Sequence, residues 1–263
     1  MIHPRRTRGR EAAGPLVILR RLTKFTLLIA LASFLAGATS SVAGFGIGTI
    51  LTPLLGFGIG VRLAVAAAAI PHFAGNAVRL WTLRHRVDLG VLKSFGLTSA
   101  AGALAGALLH AVASIPTLKF GMAALLIAAG GLGVAGYTDR ARMGPRGAWF
   151  AGALSGFLGG FLGNQGGIRA AAMLALDVRK EVFVATAVAI ALVVDGARLP
   201  IYAVTTGREL LRAWPVVAIA SGGVLAGTLL GKLLLGWIPE PLFRRIVSAL
   251  LVALGIAIFI AGK

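Results

Sequence analysis

The chain has 263 residues, of which 58% are hydrophobic and only 13% charged, with a mean hydropathy of +0.91. A soluble domain carries about 25% charged residues, so this composition excludes an ordinary water-soluble fold and points to an all-α, polytopic membrane helix bundle. The formal charge of +18 is spread among loops rather than gathered on one face, which argues against a nucleic-acid partner and fits the Lys and Arg excess of membrane loops.

In chain order, residues 1–24 form a basic tail, densest in MIHPRRTRGR, expected in the cytoplasm of a cell-membrane protein and able to touch anionic lipid. Arg20-Arg21 before an apolar run also fits a twin-arginine or organelle signal, but no clear small-residue cleavage site follows, and further spans do. A bilayer crossing takes about 20 apolar residues, and segments of that kind then recur. The first set, 25–137, reads as a discontinuous element over 25–58, broken near 41–48, followed by helices over 62–83, 90–112 and 117–137. A basic linker, 138–146, leads to the second set, 147–262. That set opens with 147–176, broken near 163–167, and continues with helices over 182–204, 210–236 and 241–261. Ile115-Pro116 and Ile238-Pro239 place proline where the last helix of each set begins.

The two sets read as homologous halves. GALAGALL (Gly102–Leu109) and GVLAGTLL (Gly223–Leu230) differ only at their second and sixth positions. LAGATSSVAGFGIG from Leu35 aligns with FAGALSGFLGGFLG from Phe150, and NAVRL from Asn76 with DGARL from Asp195, in the same order and at nearly constant spacing. If each broken element crosses the bilayer, there are eight crossings, the halves are parallel, and most Lys and Arg fall on the cytoplasmic side. If each returns to its starting face, the halves are inverted and the basic residues divide almost evenly. The positive-inside rule favours eight crossings.

The breaks carry the chemistry. Irregular backbone survives in hydrocarbon only where it lines a cavity or is buried in protein. FLGNQGGIR (161–169) sets Gly163, Gly166 and Gly167 around Asn164 and Gln165, with Arg169 in the first turn of a restarting helix. A cation there opposes the helix dipole, whereas an anion bound at the same spot would be attracted by both. The first break offers Ser40, Ser41 and Thr49 around Gly44, Gly46 and Gly48. Paired broken helices in two repeats point to a transporter's binding site. Glycines spaced by four (Gly152, Gly156, Gly160; Gly102, Gly106; Gly223, Gly227) read instead as close-packing helix faces.

Asp195 is the one acidic residue deep within a span, at a cost of roughly 2.5–3.5 kcal/mol. Arg198, three positions on, is its natural structural partner. Alternatively, Asp195 positions Arg169 or Arg198, or carries a coupling proton. Asn76 and Arg79 hold the corresponding places in the first half, where Arg79 is able to snorkel to a basic span end. His72 reads as a packed polar residue or as a proton carrier. The chain lacks cysteine, which removes disulfides and thiolate chemistry. No metal-ligand spacing, phosphate loop or nucleophile–base pair stands out, so neither a cofactor nor enzymatic activity is expected.

GFLGNQGGIRAAAML, followed by EVFVATAVAIALVVDGARLPIYA, resembles the sulfite exporter TauE/SafE family, also called the toluenesulfonate uptake permease family. GFGIGTILTPLLGFGIGVRLAVAAA is similar to that family's glycine-rich opening, although Gly44, Gly46 and Gly48 alternate with larger residues where many members have consecutive glycines. The resemblance covers nearly the whole chain from about residue 30. It implies transport of sulfur-containing or carboxylate anions, such as sulfite, sulfoacetate or sulfonates.

The expectation is therefore a secondary transporter of a small anion, working by alternating access at a site between the breaks. In it Asn164 and Gln165 bond the substrate, Arg169 balances its charge, and Asp195, Arg198, Asn76, Arg79 and His72 couple or balance charge. A passive anion channel on the same scaffold is the alternative. A membrane-embedded enzyme or inert scaffold is a third, disfavoured by the missing catalytic constellation and by the buried charges.

Overall fold

The computed structural model describes residues 15–43, 46–135, 145–164, 166, 169, 173, 180–235 and 240–261. Most of the tail, the linker up to Pro145, and Gly44, Gln165, Gly167 and Pro239 lie outside the described residues. Everything regular among them is helical. The helices are α1 (Pro15–Ala43), α2 (Ile47–Ile59), α3 (Val61–Leu83), α4 (Leu89–Val112), α5 (Ile115–Val134), α6 (Pro145–Leu162), α7 (Lys180–Arg212), α8 (Trp214–Leu235) and α9 (Glu240–Ala261). Six spans among the described residues are long and apolar enough to cross a membrane: Lys24–Ser41, Val61–Arg86, Leu89–Val112, Ile115–Val134, Val182–Arg212 and Trp214–Gly231.

Helix ends follow local chemistry. Asp88 caps α4 by accepting from the backbone N–H groups of Gly90 (2.8 Å) and Val91 (3.0 Å). Ser114 caps α5, whose first turn holds Pro116 as anticipated. Helix α7 runs on to Arg212, past the expected end near 204. Its last turns carry exposed Arg208, Glu209 and Arg212, and a helix leaving the bilayer keeps its own backbone bonds in water.

Glycine-lined contacts tie the bundle together. A Cβ on Gly102 would lie 2.1 Å from the Ala153 carbonyl oxygen, one on Gly106 2.2 Å from that of Phe157, and one on Gly156 1.9 Å from that of Ser99. Helices α4 and α6 therefore pack backbone to backbone, running in the same direction. Helices α1 and α8 do likewise: a Cβ on Gly37 would meet the Val224 oxygen at 2.2 Å, and one on Gly227 the Phe34 oxygen at 1.9 Å. The close-packing reading of these stripes matches the structure. Two other pairs run antiparallel. Helix α3 meets α7 through His72–Asp195, with Asp88, just past the end of α3, bonded to Thr186 farther back along α7, and α5 meets α9 through Phe120–Phe259 and Gly130–Ser248.

Helix α2 turns back along α1. A Cβ on Gly46 would strike Thr39 (2.5 Å), and one on Gly58 would strike Phe25 (1.9 Å), so rising numbers on one helix face falling numbers on the other. Gly46 has φ 137°, a backbone angle that disfavours side chains. The 13 residues of α2 rise about 20 Å, short of the roughly 30 Å hydrocarbon thickness.

Candidate functional site

The two breaks meet. Gly163 has φ +73° and ends α6, as its place in the sequence anticipated. Its carbonyl oxygen faces the start of α2, where a Cβ on Gly48 would lie only 2.7 Å away. Beside this contact the Thr49 hydroxyl donates to Asn164 Oδ1 at 3.0 Å, and Thr52, one turn on, reaches the Gly163 carbonyl at 3.5 Å. Helix α2 begins at Gly46 without a side-chain cap, so the first-turn N–H groups and the positive end of its dipole lie at the same junction. Gly166, Arg169 and Met173 are helical and buried, and their spacing puts them on one helix face.

A polar ladder built from α3 and α7 runs past the junction. His72 packs under the α2 start, its ring carbon 3.8 Å from where a Gly48 Cβ would sit. His72 Nδ1 donates to Asp195 Oδ2 at 2.6 Å. The other carboxylate oxygen of Asp195 accepts from Arg198 Nη2 (2.8 Å) and Nε (3.0 Å), and Arg198 Nη1 donates to the Gly159 carbonyl at 2.5 Å. On the first-half side, Asn76 Nδ2 donates to the His72 carbonyl at 2.8 Å, and Arg79 Nη1 donates to Ser40 Oγ at 2.7 Å and Asn76 Oδ1 at 3.5 Å. Asn76 and Arg79 are thus linked to Asp195 and Arg198 through His72.

Arg169 departs from this pattern of satisfied partners. It is 2% exposed, and its Nε and Nη1 have no hydrogen-bond partner among the described residues. Arg79, 5% exposed, leaves Nη2 in the same condition. Arg169 interacts electrostatically with Asp195, Arg198, Arg79 and His72, so these groups share one electrostatic environment. A guanidinium in a low-dielectric interior is costly unless an opposite charge meets it.

The expected residues sort as follows. Thr49, Asn164, Gly48 and Gly163 stand at the junction, and Ser40, Asn76, Arg79, His72, Asp195 and Arg198 on the ladder. The structural Asp195–Arg198 pair is present. Ser41 instead serves helix packing, donating to the Thr228 carbonyl of α8 at 2.7 Å and to Gly37 at 3.2 Å. Arg79 does not snorkel outward, because Ser40 at the tip of α1 holds it inside. Sequence reasoning passed over Thr52 and Tyr202. Tyr202, buried one turn beyond Arg198, donates its hydroxyl to the Gly160 carbonyl. Their signals were a Thr three positions after Thr49 and a buried phenol four positions after an intramembrane Arg. Among the described residues, no group of three or more His, Cys, Asp or Glu is placed to hold a metal ion.

Over residues 29–258 the chain matches the family described as sulfite exporter TauE/SafE. No curated protein and no solved structure matches it.

Proposed function

Because the chain belongs to the sulfite exporter TauE/SafE family, we infer that it is a secondary transporter that moves a small anion through the junction of its two broken elements. The observation that carries this reading is Arg169: a buried cation, two of whose nitrogens lack a partner among the described residues, in electrostatic reach of His72, which itself packs under the uncapped start of α2. Sulfur-containing oxyanions are the first candidates on family grounds. The substrate-contacting residues on this reading are Gly48, Thr49, Gly163, Asn164 and Arg169, with Gly46 shaping the turn. Asp195 holds Arg198 and His72 in place, which leaves His72 Nε2 as the candidate coupling-proton position.

The same reading changes the expected topology. Helices α1 and α2 act as a re-entrant hairpin, and α6, the sequence counterpart of α1, stops at Gly163. The two halves are then inverted, not parallel, with six full crossings in place of eight: α3, α4, α5, α7 and α8 from the apolar spans above, and the 22-residue α9, whose described apolar stretch is the shorter Ser248–Ile260, while the apolar span of α1 belongs to the hairpin. Three facts support this: α2 runs back along α1, and the repeat-equivalent pairs α3/α7 and α5/α9 are antiparallel. An in-plane two-fold relation requires antiparallel equivalents, whereas an axis along the membrane normal requires parallel ones. The cytoplasmic placement of the N-terminus in the cell membrane then rests on the basic tail.

The test is flux of sulfite, thiosulfate and sulfonates in proteoliposomes containing wild type or Arg169→Ala. Loss of flux in the variant, with retained folding, is expected. Unchanged flux would remove Arg169 from the site. Accumulation against a gradient, driven by a counter-ion or proton, separates a transporter from a passive channel.

A further inference from the structure

We propose that the site is built for a doubly charged oxyanion, held jointly by Arg169 from the second half and Arg79 from the first. The proposal rests on the anion-transport reading and adds the charge of the cargo and a second cationic contact.

The buried charges beside the junction do not balance. Three guanidinium groups, Arg79, Arg169 and Arg198, are buried, with Arg169 in electrostatic reach of both others, and a guanidinium carries its charge at physiological pH. Asp195 is the one buried carboxylate among the described residues. His72 satisfies Asp195 through a single N–H and can do so as the neutral imidazole. Among the described residues, two positive charges therefore remain uncompensated.

The hydrogen bonds locate the surplus. Arg198 is fully engaged, with Nε and Nη2 on Asp195 and Nη1 on the Gly159 carbonyl. Among the described residues, the nitrogens without a partner belong to the other two: Nε and Nη1 of Arg169 and Nη2 of Arg79. The unspent donors and the unspent charge thus sit on the same two residues, one from each half. A monoanion would leave one buried positive charge unmatched, at a low dielectric where the mismatch is expensive. A dianion with three or four oxygens neutralises both and accepts from all three nitrogens, as charge-assisted bonds to guanidinium do. Ser40 and Asn76 both hold Arg79 through Nη1, which fixes the guanidinium and with it Nη2.

This arrangement makes Arg79 a specificity residue for anion charge. The test uses the full chain, purified in detergent, with sulfate and thiosulfate as dianions and methanesulfonate as a monoanion of the same shape as sulfate. Affinity is read from ligand-induced thermal shifts and from competition in proteoliposome flux. Wild type is expected to bind the dianions at least about tenfold more tightly than methanesulfonate. Arg79→Gln should lower dianion affinity by roughly 100-fold while changing methanesulfonate only a few-fold. Arg79→Lys, which restores the charge, should recover the dianion preference. Methanesulfonate binding as well as sulfate in wild type would overturn the proposal and leave the transporter reading standing. So would an unchanged dianion preference in Arg79→Gln. Failure of every anion to bind or move would instead overturn the transporter reading itself, and this proposal with it. The wild-type ranking decides the charge whether or not the glutamine variant folds.

Discussion

Replacing Asp195 with Asn isolates the charge at the centre of the ladder while keeping its shape. The carboxylate is 0% exposed and accepts three bonds, from His72 at 2.6 Å and from Arg198 at 2.8 and 3.0 Å. An amide supplies one acceptor oxygen and one NH2 group, so one of the two neighbours meets a donor instead of an acceptor. Arg198 is then left with the Gly159 carbonyl and no counter-charge. Removing one partner of a buried ion pair costs about 3–5 kcal/mol. At about 2–4 °C per kcal/mol for a chain of this size, the midpoint of thermal unfolding in detergent should fall by roughly 6–20 °C. The companion measurement is the double variant Asp195→Asn/Arg198→Gln. It removes the stranded cation and should recover at least about 2 kcal/mol relative to the sum of the single changes. A drop under about 1 kcal/mol in Asp195→Asn, or strict additivity in the double variant, would refute the claim that these charges hold the centre of the bundle together.

Further outcomes follow from the same geometry. Gly156→Leu forces a side chain where even a Cβ would lie 1.9 Å from the Ser99 carbonyl oxygen, so separation of α4 from α6 and loss of folded yield by size-exclusion chromatography are expected. Gly196→Ala meets nothing within 4 Å and should stabilise the helix by about 0.5–1 kcal/mol in the same unfolding assay. Gly163→Ala keeps the packing volume small but imposes a side chain at φ +73°, with Thr52 3.0 Å away. A cost of about 1–3 kcal/mol and reduced flux are expected, and wild-type flux would argue against a required turn there. The chain has no cysteine, so Thr49→Cys with Asn164→Cys should cross-link under oxidation, since the native side-chain oxygens lie 3.0 Å apart. Oxidised protein should stop transporting and reductant should restore flux. Transport unaffected by the cross-link would mean that the two tips need not part.

The all-helical class, the positions of the two breaks, the glycine packing faces and the Asp195–Arg198 pair were legible in the sequence, each for a local reason. Hydropathy over about 20 residues reports solvent, a glycine cluster reports where a helix is free to open, and a spacing of three places two side chains on one helical face. The facing of Thr49 to Asn164 and of His72 to Asp195 was not legible, because those contacts join residues more than a hundred positions apart. Nor could composition tell a broken element that crosses from one that turns back. Counting basic residues favoured crossing, but that count weighs only loop charges. The direction of α2 is decided by its packing along α1 and by the 137° φ of Gly46. The sequence by itself determined which groups are buried in the membrane. Only the tertiary structure decided which of them are spent on one another and which stay open, since a buried charge is compensated through space and not along the chain.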